Sequence, residues 1–388
     1  MGKWYDVIVV GAGSVGMSAG YYLARRGVKT LLIDAFDPPH EEGSHHGEPR
    51  LIRHAYSGDP VYTEMAIRAH RLWNEVEDLT ETKLLVQSGV LNLADSGLYS
   101  YRERIELAKR HGIHPEWLDA AEIRRRWPEL RVPDSFEAMY EPAAGYLHSE
   151  RCVGAYRKLA LSKGAELLTY AKVRGIEAHQ DGVTVSTKEG TYHASFAVLS
   201  AGAWFGTLSP FVNLPVRAVR KTVGWFETNT PAFDNGRFPG FTLNAPEGSY
   251  YGFPSIGGAG LKIGRHDTGH AWQPGEAIAP FGSLPEDEGD LRRALDAYMP
   301  GASGRLKRGV VCKYEMSPDE GFIIDRHPEH PQVWAAGGFS GHGFKFSSAV
   351  GSLLADLILD GRSPHNIAPF SLSRFHPSPA DTPTSPVS

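Results

Sequence analysis

Six residues near the amino terminus carry the first recognisable chemistry. Gly11-Ala12-Gly13-Ser14-Val15-Gly16 places glycines in the pattern G-x-G-x-x-G. Gly11 permits a tight turn, Gly13 lets the backbone approach a pyrophosphate, and Gly16 lets a helix pack closely on a strand. A helix starting there offers free N–H groups and the positive end of its dipole to phosphates. Asp34 and Ala35 follow where an acidic side chain accepts hydrogen bonds from an adenosine ribose. A second glycine-rich run, Gly337 to Gly343, leads into Phe344-Lys345-Phe346. A lysine enclosed by two aromatic rings at a glycine loop is placed for function rather than solvation. The chain has two cysteines. Cys152 lies in a helical pattern and reads as a small core residue. Cys312 follows Arg308-Gly309-Val310-Val311 and precedes Lys313-Tyr314. Such a cysteine is either a buried hydrophobe or a thiolate favoured by nearby positive charge. No set of residues has metal-ligand spacing, so no metal is expected.

These groups need elements to position them. Tyr5 to Val10 is an apolar, β-branched run, the mark of a buried parallel strand. A helix from about Val15 to Arg26 follows, stopped by Gly27, and Thr30 to Ile33 is a second buried strand. This is a βαβ unit with a right-handed crossover. Ala197 to Ala201 before Gly202-Ala203-Trp204, and Val333 to Ala336 before the second glycine run, repeat the strand-then-glycine theme. A helix from about Ser347 to Leu359 follows, closed by Gly361. An amino-terminal fingerprint with further glycine elements hundreds of residues later favours FAD over NAD, because extended FAD touches several strand ends.

The expected fold is α/β. A Rossmann-like FAD-binding domain, discontinuous in sequence, is built from 1–83, 145–215 and 309–370. A second, α+β substrate domain on an antiparallel sheet takes 84–144 and 216–308. Alternating patterns such as Thr222 to Glu227 suggest that sheet, and Tyr101 to His111 suggests a helix beside it. Arg124-Arg125-Arg126 reads as a solvated helix face. Residues 371–388, rich in Pro, Ser and Thr, form a tail expected to be disordered at its end.

Composition bounds the partners. The 388 residues carry 40 basic and 45 acidic side chains, net −5, which argues against a nucleic-acid binder. No apolar run is long enough to span a bilayer, and no targeting segment is visible, so a cytoplasmic location is expected.

Longer stretches resemble a known family. They are Asp34 to His40, Gly43-Ser44-His45-His46-Gly47, Arg50 and Arg53-His54-Ala55-Tyr56. Tyr250 to Pro254, Gly260-Leu261-Lys262, His266 and Gly338 to Ser348 complete the set. Together they resemble the monomeric sarcosine oxidase and N-methyltryptophan oxidase family of covalent FAD amine oxidases, over the chain up to about Phe370. The resemblance implies FAD joined through a thioether from Cys312 to the flavin 8-methyl group. It implies that Arg53 and Lys345 clamp a substrate carboxylate, suited by a planar fork and a point charge respectively. Arg50 lies beside the flavin ring, and Lys262 supplies positive charge where oxygen is activated. His266, Tyr251 and Tyr314 line the substrate pocket. Gly43, Ser44, His45, Val173, Trp204, Gly341, His342, Gly343, Phe344 and Lys345 join the fingerprint as cofactor contacts. The implied reaction oxidises the N-methyl group of sarcosine or a related N-methyl amino acid with oxygen, giving the amino acid, formaldehyde and hydrogen peroxide. A monomer is implied.

Three positions depart from the family pattern. Pro49 replaces a Thr before Arg50, Thr242 replaces a Met, and Arg265 replaces a Tyr beside His266. They suggest substrates bulkier than sarcosine, with N-methyltryptophan as an alternative. Two other classes share the fingerprint. A nicotinamide-dependent dehydrogenase would leave Cys312 and the Gly341 loop without a role. A non-catalytic flavoprotein would not need Arg50, Arg53, Lys262 and Lys345 together.

Overall fold

The computed structural model describes residues 3–375. The outermost part of the expected tail, 376–388, lies outside them.

The nucleotide fingerprint sits on an 8-stranded sheet. Lys3–Val10 runs parallel to Thr30–Ile33 on one side and Thr191–Leu199 on the other. Val333–Gly337 extends the sheet parallel to Thr191–Leu199. Alternation along the first strand serves two cores. Val7 and Val9 face helices Ser14–Arg25, Pro60–Thr80, Ser149–Ser162 and Ser347–Asp360. Tyr5, Ile8 and Val10 face the opposite core with Leu199 and Phe205. A sheet covered on both faces reads as an unbroken apolar run, as the sequence of this strand does.

Local signals set the helix ends. Asp59 caps Pro60–Thr80 by accepting from the Val61 N–H at 2.9 Å, with Pro60 in the first turn. Ser347–Asp360 ends at Gly361 with φ +67°. Helix Ser14–Arg25 starts tight against the turn before it. A Cβ on Gly16 would lie 1.9 Å from the Gly11 carbonyl oxygen, so only hydrogen fits there.

A 9-stranded sheet forms the second layer. Its pairings are antiparallel except that Val90–Asp95 runs parallel to Gly240–Ala245. That pair joins chain segments far apart in sequence, which no hairpin forces into opposite directions. Helix Glu286–Tyr298 covers this sheet with Leu291, Ala294 and Leu295 against Phe226, Leu261 and Ile263. One boundary differs from the sequence reading. Residues 309–316 belong to strand Leu306–Met316, which pairs along Arg217–Phe226 in this second sheet rather than in the first. Hydrogen bonding to a neighbour in the ladder outweighs proximity to the glycine loop that follows. A small 3-stranded sheet sets Arg50–Ile52 against Gly145–Leu147.

Gly16→Ala is expected to lower the melting temperature sharply, by about 1–3 kcal/mol of overpacking or more. Gly154→Ala, in a helix with open space around its Cβ, is expected to be neutral or to gain about 0.5–1 kcal/mol. Thermal unfolding of both variants checks the contrast.

Candidate active site

Two cavities meet inside the molecule. The first, of about 430 Å³, lies beyond the carboxyl ends of Lys3–Val10, Thr30–Ile33 and Thr191–Leu199. That is where ligands bind in open α/β sheets. The second, of about 370 Å³, lies against the second sheet and the loop before helix Ser347–Asp360. Arg50, Tyr314, Gly341 and Phe344 line both. At this junction the backbone presses on a ring: a Cβ on Gly341, whose φ is +77°, would fall 2.0 Å from Tyr314 Cε2.

The first cavity gathers most of the residues expected to hold the cofactor. Gly11, Gly13, Ser14, Val15, Asp34, Ala35, Gly43, Ser44, His45, Val173, Trp204, Gly341, Gly343 and Phe344 line it. Helix Ser14–Arg25 has no side-chain cap, so its first N–H groups remain free for an anion. A Cβ on Gly13 would meet nothing nearer than His45 Nδ1 at 4.0 Å, which leaves room for phosphate above the turn. Asp34 braces the turn by accepting from the N–H of Ala12 at 2.7 Å and of Phe36 at 2.9 Å. Ala12 and Gly16 shape the turn without lining the cavity. His45 is buried and accepts from the His40 N–H through Nε2 at 3.0 Å. Burial lowers its pKa to about 3, so it is neutral.

Loop 43–50 closes the junction against strand Leu306–Met316. Ser44 Oγ donates to the Lys313 carbonyl at 2.6 Å. Arg50 donates to the carbonyls of Ser44, His46, Gly47 and Pro49, at 2.6–3.0 Å, and pairs with no carboxylate among the described residues. Lys262, 1 % exposed, donates to the carbonyls of Gly47 at 2.5 Å and Pro49 at 3.2 Å. Its ammonium also lies 5.1 Å from the centre of the Trp225 ring. Burial, with Arg50 nearby, holds Lys262 well below the usual lysine range. Cys312 is a buried free thiol packed with Val223 and Trp225, and with Tyr251 and Val310 at the edge of that cluster. Lys262 and Cys312 stand behind the cavity walls rather than in them.

The second cavity gathers the remaining residues of the expected site. Arg53, Tyr251, His266, Tyr314, His342 and Lys345 line it, with Thr242. Arg53 Nη1 donates to Asn92 Oδ1 at 3.0 Å, and Lys345 Nζ to the His342 carbonyl at 2.6 Å. Neither has a carboxylate partner within 4.0 Å among the described residues. Lys345 is 5 % exposed, and burial followed by Arg53 holds it well below the usual range. Burial lowers His266 to about 4, so it enters as a neutral imidazole. The Tyr314 hydroxyl donates to the Tyr251 hydroxyl at 3.2 Å, and burial raises Tyr314 to about 12. His342 lines this cavity and not the first, because its ring turns toward the Glu320 carbonyl. Arg265 pairs with Asp267 and Asp290 and lines neither cavity.

Two buried charged side chains escape the sequence reading. Arg104 lines the second cavity from helix Arg102–Arg110, whose many charges make it look solvated. Glu315 lines the first cavity, with Oε2 unpartnered. Burial raises its carboxyl to about 8 despite the neighbouring N–H groups of Gly338 and Phe339. An acidic residue between Tyr314 and Met316 carries no sequence signal of this setting.

Comparison with known proteins shows the family. The family model for FAD dependent oxidoreductases matches residues 6–357. Monomeric sarcosine oxidase of Bacillus sp. (strain B-0618) is 48 % identical over 378 residues, covering 96 % of this chain and 97 % of that protein. N-methyl-L-tryptophan oxidase of Salmonella enteritidis PT4 is 42 % identical over 374 residues, covering 96 % and 99 %. The open form of NikD, an unusual amino acid oxidase essential for nikkomycin biosynthesis, superposes with a TM-score of 0.84 at 22 % identity, covering 95 % and 97 %, a likeness of fold. The chain belongs to the FAD dependent oxidoreductase family.

Glu315 supplies a test of the cavity's polarity. Its folded pKa lies above the unfolded value, so its neutral form is retained in the fold while the unfolded chain ionises. Stability is therefore lost as pH rises from about 4.5 towards about 8. Glu315→Gln is expected to raise the melting temperature relative to the parent at pH 9 and to change it little at pH 5. Equal shifts at both values would show an ordinary carboxyl.

Proposed function

We propose that this protein is a flavin-dependent oxidase that demethylates sarcosine or a related N-methyl amino acid. The products are the amino acid, formaldehyde and hydrogen peroxide. The observation that carries this reading is the meeting of the two cavities at Arg50, Tyr314, Gly341 and Phe344, with Arg53 and Lys345 unpaired beside that junction. The first cavity's free helix start, the space over Gly13 and the acidic Asp34 fit FAD. The 8-stranded sheet with its helices is the cofactor-holding part, and the 9-stranded sheet forms the substrate part.

Bound FAD supplies the two-electron acceptor that oxygen then restores. The chain's own residues bind, orient and set charge. Arg53 and Lys345 take the substrate carboxylate, which also supplies the anion that favours the protonated form of Lys345. Tyr251, Tyr314 and neutral His266 wall the amine so that its N-methyl group faces the shared boundary of the cavities. The C–H electron pair leaves that methyl group, water adds to the resulting imine carbon, and the C–N bond breaks. Lys262 and Arg50 present positive charge where negative charge develops during reduction and oxygen reaction. Lys262, with only carbonyl partners, favours its cationic form most when negative charge appears beside it.

FAD is held through a thioether at Cys312. The cysteine lies two residues from Tyr314, which walls both cavities, and its strand is tied to loop 43–50 by Ser44. The second cavity and Thr242 also favour substrates larger than sarcosine, N-methyltryptophan among them. A cavity of about 370 Å³ falls in the range, about 300–1,000 Å³, that encloses drug-sized ligands. The enzyme acts as a cytoplasmic monomer. Among the described residues no helix is long and apolar enough to cross a membrane.

Acid precipitation is expected to leave yellow flavin in the protein pellet, and Cys312→Ser to release it to the supernatant. Free flavin from the parent would overturn the covalent link. Sarcosine under air is expected to yield formaldehyde and peroxide in equal amounts. Lys262→Met is expected to slow reoxidation of the reduced protein by oxygen far more than anaerobic reduction by substrate, measured by stopped-flow absorbance. Neutral His266 is expected to leave no inflection near pH 6.5 in kcat/KM.

A further inference from the structure

Besides Arg50 at the junction and the pair Arg53 and Lys345, a further cation lines the second cavity. Arg104 is 8 % exposed and lines this cavity but not the first. Its Nε donates to the Ala55 carbonyl at 2.8 Å, and Nη2 donates to the same oxygen. Nη1 has no hydrogen bond and the guanidinium no carboxylate within 4.0 Å, among the described residues. A buried guanidinium with one acceptor is far from satisfied, since it presents five N–H donors.

Its surroundings point to a ligand. The Tyr56 ring has Arg53, Arg104 and Lys345 at 5.5, 5.7 and 5.8 Å from its centre. Tyr56 lines the same cavity, and its hydroxyl is buried with no hydrogen-bond partner among the described residues. Glu141 is the acid whose charge reaches Lys345, and its Oε2 is engaged by the N–H groups of His54 and Ala55. One substrate carboxylate occupies Arg53 and Lys345. Arg104 and the Tyr56 hydroxyl are left over, in a cavity far larger than a methylated glycine requires.

We propose that Arg104 and the Tyr56 hydroxyl form a second anion subsite, and that the preferred substrate is an N-methylated amino acid with an acidic side chain. This rests on the amine-oxidase reading above. The α-carboxylate lies on Arg53 and Lys345, the methyl group faces the boundary at Gly341 and Tyr314, and the side-chain carboxylate reaches Arg104. The subsite takes no part in electron transfer. The methyl C–H and C–N bonds break as before, oxygen is reduced to peroxide, and the dicarboxylic amino acid leaves. Arg suits this task because its planar fork binds carboxylate bidentately while two of its N–H groups stay anchored to the backbone.

The test compares sarcosine with N-methyl-L-aspartate and N-methyl-L-glutamate as peroxide-forming substrates of the flavin-loaded protein. The parent is expected to show a higher kcat/KM on at least one dicarboxylate than on sarcosine. Arg104→Met is expected to raise KM for that dicarboxylate roughly tenfold or more, the loss of one charge-assisted pair, and to leave sarcosine within about twofold. Arg104→Lys keeps the charge and is expected to retain part of the preference. Equal losses on both substrates would place Arg104 in the α-carboxylate clamp and overturn the subsite. A parent active on sarcosine but on neither dicarboxylate would overturn it too. Glutarate and acetate, titrated against the flavin absorbance, separate the two readings. Tighter glutarate binding that Arg104→Met abolishes sustains the subsite even if no N-methyl amino acid is oxidised. No turnover of any of the three would instead strike the amine-oxidase reading.

Discussion

Positive charge drawn wholly or partly out of water, with no carboxylate within 4.0 Å among the described residues, is the condition around which this site is organised. Arg50 and Lys262 are bonded to backbone carbonyls at the junction of the cavities, and Arg53, Arg104 and Lys345 surround one tyrosine ring. Removing an ammonium or guanidinium from water costs several kcal/mol unless it is paired. One buried cation is paired instead: Arg220 and Asp287, both buried, meet through two hydrogen bonds of 2.7 Å. Carbonyl dipoles hold each cation in place without neutralising it.

The rest of the structure supplies the rigidity that this arrangement requires. Loop 43–50 has little secondary structure of its own, yet it carries the carbonyls that hold Arg50 and Lys262. It is pinned from several sides: Ser44 to strand Leu306–Met316, Gly47 N–H to Glu150 at 2.8 Å, and the His45 carbonyl to Ser149 at 2.7 Å. Both sheets contribute, because Lys262 and Tyr251 come from the second while the glycine turn and Asp34 come from the first. The stability that offsets the cation cost comes from the packed cores, above all the helices Ser14–Arg25, Ser149–Ser162 and Ser347–Asp360 over the first sheet.

Burial also sets the protonation states. His45, His46, His266 and His342 are all driven low enough to be neutral at physiological pH, first by burial and then by nearby positive charge. Burial raises the Glu315 carboxyl to about 8, so the first cavity holds it as the neutral acid. The site thus confines its positive charge to lysine and arginine and leaves its imidazoles as shape and hydrogen-bond acceptors.

Much of this was legible along the chain, where chemistry is written in contiguous residues. The G-x-G-x-x-G turn, the buried strands at Tyr5 to Val10 and Thr30 to Ile33, and the helix after Ser347 are local patterns whose energetics depend on near neighbours. Long motifs such as Gly338 to Ser348 likewise carried the resemblance to amine oxidases, and Arg53, Lys345, Tyr251 and His266, from four separate segments, do line one cavity. Arg104 was hidden because a buried arginine and a solvated one look alike within a charged helix, and only packing against Tyr56 and Ala55 distinguishes them. Glu315 was hidden for the same reason. The sequence determined the cofactor turn and the kinds of side chain available. Tertiary structure alone decided which charges meet, which lack partners, and that strand Leu306–Met316 joins the second sheet, because desolvation and ladder pairing depend on residues far away in the chain.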